Sequence, residues 1–181
     1  MLSVEQLLSD LKRREGGYVD HPNDKGGPTK YGITWKTLQK HLGRPVSKQD
    51  VKDLTWEVAK EIYLSDYLYG PRIHTLPEAL QPQLFDIAVN SGPRKAVTML
   101  QEVLVLSTFD CDIDGMIGPE TREVTRHAYE QMGGYLVNAL SEYREHFYEA
   151  LVASDPKQSV FLRGWIARAR EFRVDVGSYT A

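Results

Sequence analysis

The chain has 181 residues, of which 41% are hydrophobic and 26% charged, and it carries a net charge of −3. These values suit one globular domain, or a domain with a small appended module, and exclude a disordered or fibrous chain. They give no global basic field, so no nucleic-acid partner is expected. No stretch approaches the roughly 20 apolar residues a membrane span needs, so no stable membrane insertion is expected either.

Helical periodicity dominates from the N-terminus. Ser3 and Gln6 have capping-box spacing, and Val4, Leu7, Leu8 and Leu11 form one apolar stripe. Gly16 and Gly17 stop that helix. Residues 18–33 are rich in turn formers and read as a loop with a short hairpin. Thr34 caps a helix carrying Trp35, Leu38 and Leu42, which Gly43 ends. Residues 47–54 and 55–67 read as two more helices. Pro77 is expected to open a helix bearing Leu80, Leu84, Ile87 and Ala88, broken at Gly92-Pro93. Ala96, Leu100, Val103 and Leu104 mark the next helix. Residues 107–118 form a second loop, and Pro119 suits the first position of the helix after it. A long helical stretch, interrupted at Gly133-Gly134, runs toward Leu151. Ser159 caps a last helix with Leu162, Trp165, Ile166 and Ala169 inward. The fold class is mainly α: a helical bundle with a small turn-rich or hairpin loop.

Glu15 continues the first stripe at i+4 from Leu11, so a carboxyl stands at the C-terminal end of a buried face. Desolvation and the negative end of the helix dipole both disfavour its ionised form. A raised pKa is what a general acid working near neutral pH requires. The alternative is a last-turn glutamate paired with Lys12, Arg13 or Arg14.

Residues 15–34 read EGGYVDHPNDKGGPTKYGIT. The EGGY tetrapeptide, the Asp-x-Gly-Gly element at Asp24–Gly27 and the T-x-x-G-I-T run from Thr29 to Thr34 resemble the signature of glycoside hydrolase family 108, the N-acetylmuramidases. FDIAVNSGP, residues 85–93, resembles the second block of that family. His21 and Lys25 depart from the pattern. The resemblance implies cleavage of the β-1,4 bond between N-acetylmuramic acid and N-acetylglucosamine in bacterial peptidoglycan, with Glu15 as the catalytic acid. The order Glu15, Asp24, Thr29 is similar to the catalytic arrangement of phage-type lysozymes. Asp24 and Thr29 are therefore the candidates for handling water, with Asp20 as the rival carboxylate. A separation of about 6.5–9.5 Å between the two carboxyls implies inversion and about 5–5.5 Å retention. Tyr18 and Tyr31 flank this loop and are candidate sugar-stacking walls. Asn90 is a candidate amide contact, or else a helix cap before Gly92.

The run DGMIGPET, residues 114–121, resembles peptidoglycan-binding modules. An EF-hand reading of residues 110–121 fails at its twelfth position, where Thr121 replaces the bidentate glutamate. Physically, Asp114-Gly115 and Gly118 make a tight turn and Pro119 starts a helix. Gln101 reads as a buried polar group on an apolar helix. Phe161, Trp165 and Phe172 read as a core stripe. The histidines at 21, 41, 74, 127 and 146 lack metal-ligand spacing, and Cys111 lies in an acidic loop unsuited to a thiolate. No cofactor or metal is expected.

Together these readings place a muramidase catalytic region at residues 1–93 and a peptidoglycan-binding-like helical module at 94–181, packed as one compact unit. The segment Met1–Leu11 lacks the continuous apolar core of a signal peptide. The protein is expected to be made in the cytoplasm and to act in the periplasm or on the wall after release by a holin or secretion machinery. The alternative is a non-catalytic peptidoglycan-binding or secretion-assisting protein.

Overall fold

The computed structural model describes residues 2–14, 17–20 and 27–177. Its first helix, α1 (Val4–Arg14), places Leu7 and Leu8 in the core. Three two-residue strands follow: β1 (Tyr18–Val19), β2 (Thr29–Lys30) and β3 (Ile33–Thr34). They form one antiparallel sheet in the order β1-β2-β3. This is the hairpin that the turn formers of residues 18–33 call for.

Side-chain caps then set the helix starts. Thr34 accepts the backbone N–H of Thr37 at the head of α2 (Trp35–Leu42), and Gly43 ends that helix with φ 65°, the left-handed geometry glycine adopts freely. Ser47 and Asp50 form a reciprocal capping box on α3 (Lys48–Asp53), and Thr55 caps α4 (Trp56–Leu64). Leu8, Ile33, Leu38, Val51, Ala59 and Ile62 are buried here. Residues 4–66 form one compact unit. A π-helical turn, Ser65–Tyr69, carries the chain into a second unit that begins at Tyr67.

The second unit contains α5 (Gln81–Ser91), α6 (Pro93–Leu106), α7 (Pro119–Met132), α8 (Gly134–Ser154) and α9 (Ser159–Arg170). Helix α5 starts at Gln81, four residues later than Pro77 suggests. The reason is Pro82. Without an N–H it is tolerated only in a first turn, so the helix must begin beside it. The segment from Pro77 is instead a turn, with the Leu80 N–H donating to the Pro77 carbonyl at 3.0 Å. The chain breaks at Gly92, φ 90°, as the Gly-Pro pair requires. Even so, α5 packs along α6, and both belong to the second unit.

Burial in this unit includes charge. Asp86 on α5 is 2% exposed and accepts from Arg144 of α8 at 2.6 Å and from Arg168 of α9, whose Nε lies 2.9 and 3.0 Å from its two oxygens. Arg144 is fully buried and also donates to the Tyr148 hydroxyl at 2.9 Å. Glu145 is tied to Arg170 and Arg173. Of the expected aromatic stripe, only Phe172 is core. Phe161 is 54% exposed and stacks on Trp165 with ring centroids 5.6 Å apart.

The 107–118 loop is organised by Gln101, which is fully buried. Its Nε2 donates to the Asp114 carboxylate at 2.8 Å, the Met116 carbonyl at 3.1 Å and the Thr121 hydroxyl at 3.2 Å. Its Oε1 accepts the Gly115 N–H at 2.8 Å. Gly115 has φ 73°, and a Cβ there would lie 2.6 Å from Arg94 Cγ. The D-G-x-x-G-P-x-T run is thus an architectural turn wrapped around one amide. Replacing Gln101 by alanine leaves the buried Gly115 N–H without its acceptor and removes the amide that ties Asp114, Met116 and Thr121 together. A loss of about 1–3 kcal/mol in urea unfolding is expected.

Tyr143 on α8 donates to Glu102 of α6 at 2.8 Å. Burial, then Glu102, pushes its phenol from 10.0 up to about 12. The fold therefore favours the neutral phenol. Its contribution is complete below the unfolded pKa and is lost as pH rises from 10 through about 12. Thermal melts of Tyr143→Phe should show a smaller drop across that interval than the parent.

Candidate active site

Helix α1 ends at Arg14, directly before Glu15. Glu15 and Asp24 themselves lie outside the described residues, as do Gly16 and residues 21–26. The described surroundings are the three-stranded sheet and the helices that brace it.

The pairing register assigns faces. Tyr18 opposes Lys30, which opposes Ile33, while Val19 opposes Thr29, which opposes Thr34. Directly opposed residues share a face and neighbours along a strand alternate. Tyr18 therefore lies on the face with buried Ile33, and Thr29 on the other face with Val19, which is 55% exposed. The two candidates share a sheet but not a face.

Tyr18 is held toward α3. Its hydroxyl donates to Asp20 at 3.3 Å, Lys48 donates to the same carboxylate oxygen at 3.0 Å, and the Lys52 ammonium lies 5.3 Å from the Tyr18 ring. The Lys48 hydrogen bond holds Asp20 below the usual carboxylate range. Desolvation, then Asp20, pushes the Tyr18 phenol up. Lys30 donates to the Lys52 carbonyl at 2.5 Å and completes the bracing.

Tyr31 stands at the tip of the β2–β3 hairpin. Tyr31 and Gly32 have φ 53° and 73°, the double left-handed geometry of a two-residue turn that matches strand twist. A tyrosine held at positive φ is strained by about 1–3 kcal/mol and persists only where its surroundings fix it. Two contacts do so. The Tyr63 hydroxyl donates to the Tyr31 carbonyl at 2.8 Å, and the Tyr31 ring meets Trp56 edge-on at 5.6 Å. Lys12 of α1 lies 5.7 Å from the Trp56 ring and Lys30 lies 5.4 Å from that of Tyr31. An aromatic and cationic cluster thus forms near the end of α1, three residues before Glu15. Trp56 and Lys12 belong to it, although no motif marks them. The one available signal was a tryptophan placed directly after a helix cap.

Gly27 precedes β2 with φ 72°, and a Cβ there would lie 2.5 Å from the Trp35 indole. The loop glycine lets the backbone lie against that ring. Pro28, next to it, is buried and accepts the Trp35 N–H at 3.1 Å.

Asn90 belongs to the second unit. It is exposed in the last turn of α5, and its amide donates to the Asp86 carbonyl at 2.7 Å. Cys111 is buried, and burial raises its thiol pKa, which keeps it protonated and a poor nucleophile.

Residues 8–92 match the family model described as Glycosyl hydrolase 108, and residues 95–170 match one described as Predicted Peptidoglycan domain. With the mainly α, lysozyme-like fold, these matches define a glycoside hydrolase of the lysozyme type that acts on peptidoglycan. The chain is similar to a solved structure of Brucella abortus SagA at 36% identity and a TM-score of 0.71, with 93% of this chain and 90% of that one covered. The chain belongs to glycoside hydrolase family 108. No curated protein matches it.

Proposed function

We infer that this protein is an N-acetylmuramidase that cleaves the β-1,4 bond between N-acetylmuramic acid and N-acetylglucosamine, with Glu15 as general acid. The observation that carries the reading is the position of the EGGY glutamate. In sequence it directly follows Arg14, the last residue of α1, and Lys12 of that helix joins Trp56 and Tyr31 in an aromatic and cationic cluster. Sugar rings pack on aromatic faces, and water excluded by such a wall strengthens the field on a neighbouring carboxyl.

In this mechanism Glu15 gives its proton to the glycosidic oxygen as the C1–O bond breaks. Asp24 supplies the second carboxylate beside the oxocarbenium-like transition state, and the Thr29 hydroxyl orients the attacking water. Asp20 is less suited than Asp24, because Lys48 and Tyr18 already engage one of its carboxylate oxygens. Tyr31 and the outer edge of Tyr18 contact the sugar rings. The protein acts in the periplasm or on the wall, in phage lysis or in wall opening for secretion, after release by a holin or a secretion machinery.

Purified sacculi digested with the protein, reduced with borohydride and analysed by mass spectrometry test the bond. New muramitol ends are expected. New glucosaminitol ends, or free peptides without new sugar ends, would overturn the assignment.

A further inference from the structure

The second unit holds a cleft of about 520 Å³, well away in sequence from the EGGY loop. Thr75 and Pro77 line it together with Pro119, Arg122, Arg126 and Tyr129 of α7, and Glu123 and Glu130, the ion-pair partners of Arg126, line it too. Residues 122, 126 and 129 recur at helical spacing, so they share one face of α7. The D-G-x-x-G-P-x-T turn, pinned by Gln101, fixes where that helix begins.

The two arginines differ. Arg126 is engaged by Glu123 at 2.5 Å and by Glu130, so its charge is spent within the helix. Arg122 is half-buried and has no ion pair among the described residues. A guanidinium fork in a concave site, with a tyrosine face and two proline rings around it, matches a carboxylate on an apolar backbone. Peptidoglycan carries its carboxylates on the stem peptides, whereas its glycan is amide- and hydroxyl-rich. The cleft also falls largely within the segment that matches a peptidoglycan domain.

We propose that this cleft is a stem-peptide subsite, with Arg122 receiving a peptide carboxylate and Tyr129 packing on the peptide beside it. The proposal rests on the reading of the chain as a peptidoglycan hydrolase. It gives the second unit a ligand chemistry different from that of the glycan-cleaving loop.

The test compares the full chain with Arg122→Gln, Arg122→Lys and Tyr129→Ala, each verified as folded by circular dichroism. Two readouts are taken: retention on intact sacculi in a co-sedimentation assay, and cleavage of soluble glycan strands stripped of peptide by an amidase. Loss of a central arginine or aromatic anchor is expected to weaken retention about tenfold. Arg122→Lys, a point charge without the fork, should fall between the parent and Arg122→Gln. Cleavage of stripped glycan should stay at the parent's rate in all three. Equal retention of parent and variants, or no retention of the parent at all, overturns the cleft assignment. Absence of glycan cleavage by the parent overturns the muramidase reading instead, and leaves the retention result to decide the cleft.

Discussion

Asp86→Ala is expected to lower the stability of the fold by about 3–5 kcal/mol, read as a shift in urea unfolding. Asp86 is the anion between Arg144 and Arg168. Arg144 has no exposure and one guanidinium nitrogen without a hydrogen-bond partner among the described residues, so its charge depends on this carboxylate. Deleting the carboxylate leaves a buried, uncompensated cation. Replacing the buried pair by apolar residues of similar volume, Asp86→Leu with Arg144→Met, should recover most of the loss, because both desolvation costs then vanish. The same ion cluster bears on the chain's division. Asp86 lies in the segment matched by the hydrolase family model, and both arginines lie in the segment matched by the peptidoglycan domain. A fragment of residues 1–93 keeps the aspartate and loses both partners, along with the helices that cover α5. In that fragment α5 should lose the protection of its backbone amides, read by hydrogen exchange.

Glu15→Gln should reduce hydrolysis of sacculi by about 10²–10⁴-fold, the usual contribution of a positioned general acid. Glutamine keeps the size and polarity of the side chain but has no proton to deliver to the leaving oxygen. The melting temperature should therefore stay close to the parent's while turnover falls. If Glu15 were only a last-turn partner for Lys12, Arg13 or Arg14, the pattern would reverse, with activity kept and stability slightly changed. Arg13 already pairs with Asp10 at 2.8 Å, and Lys12 lies over Trp56. Neither cation depends on Glu15 for a partner.

Much of this was legible in the sequence because it is written in local chemistry. Thr34, Ser47 and Thr55 declare helix starts through hydroxyls that accept backbone N–H groups three residues on, and Gly43 declares an end through its left-handed φ. The hairpin follows from turn formers clustered between two short β-prone pairs. Where two prolines competed for one helix start, Pro77 misled and Pro82 decided, since only the latter would have fallen inside the helix. The Asp86 cluster was not legible. Its aspartate sits in an apolar stripe, and its arginines lie 58 and 82 residues away in sequence. Periodicity likewise could not separate Phe172, which is core, from Phe161, which is half outside. For the candidate site, the resemblance marked the loop, but the cluster of Tyr31, Trp56 and Lys12 joins three elements and needed coordinates. The opposite facing of Tyr18 and Thr29 depends on strand register, which a turn-rich segment does not fix.

The central claim is that Glu15 drives cleavage of the wall polymer. Turbidity loss of purified Gram-negative sacculi, followed side by side for the parent and for Glu15→Gln at matched circular dichroism, tests it most directly. Clearing by the parent and none above background by the variant is the predicted result. Equal clearing by the two, or an inert parent, would contradict it.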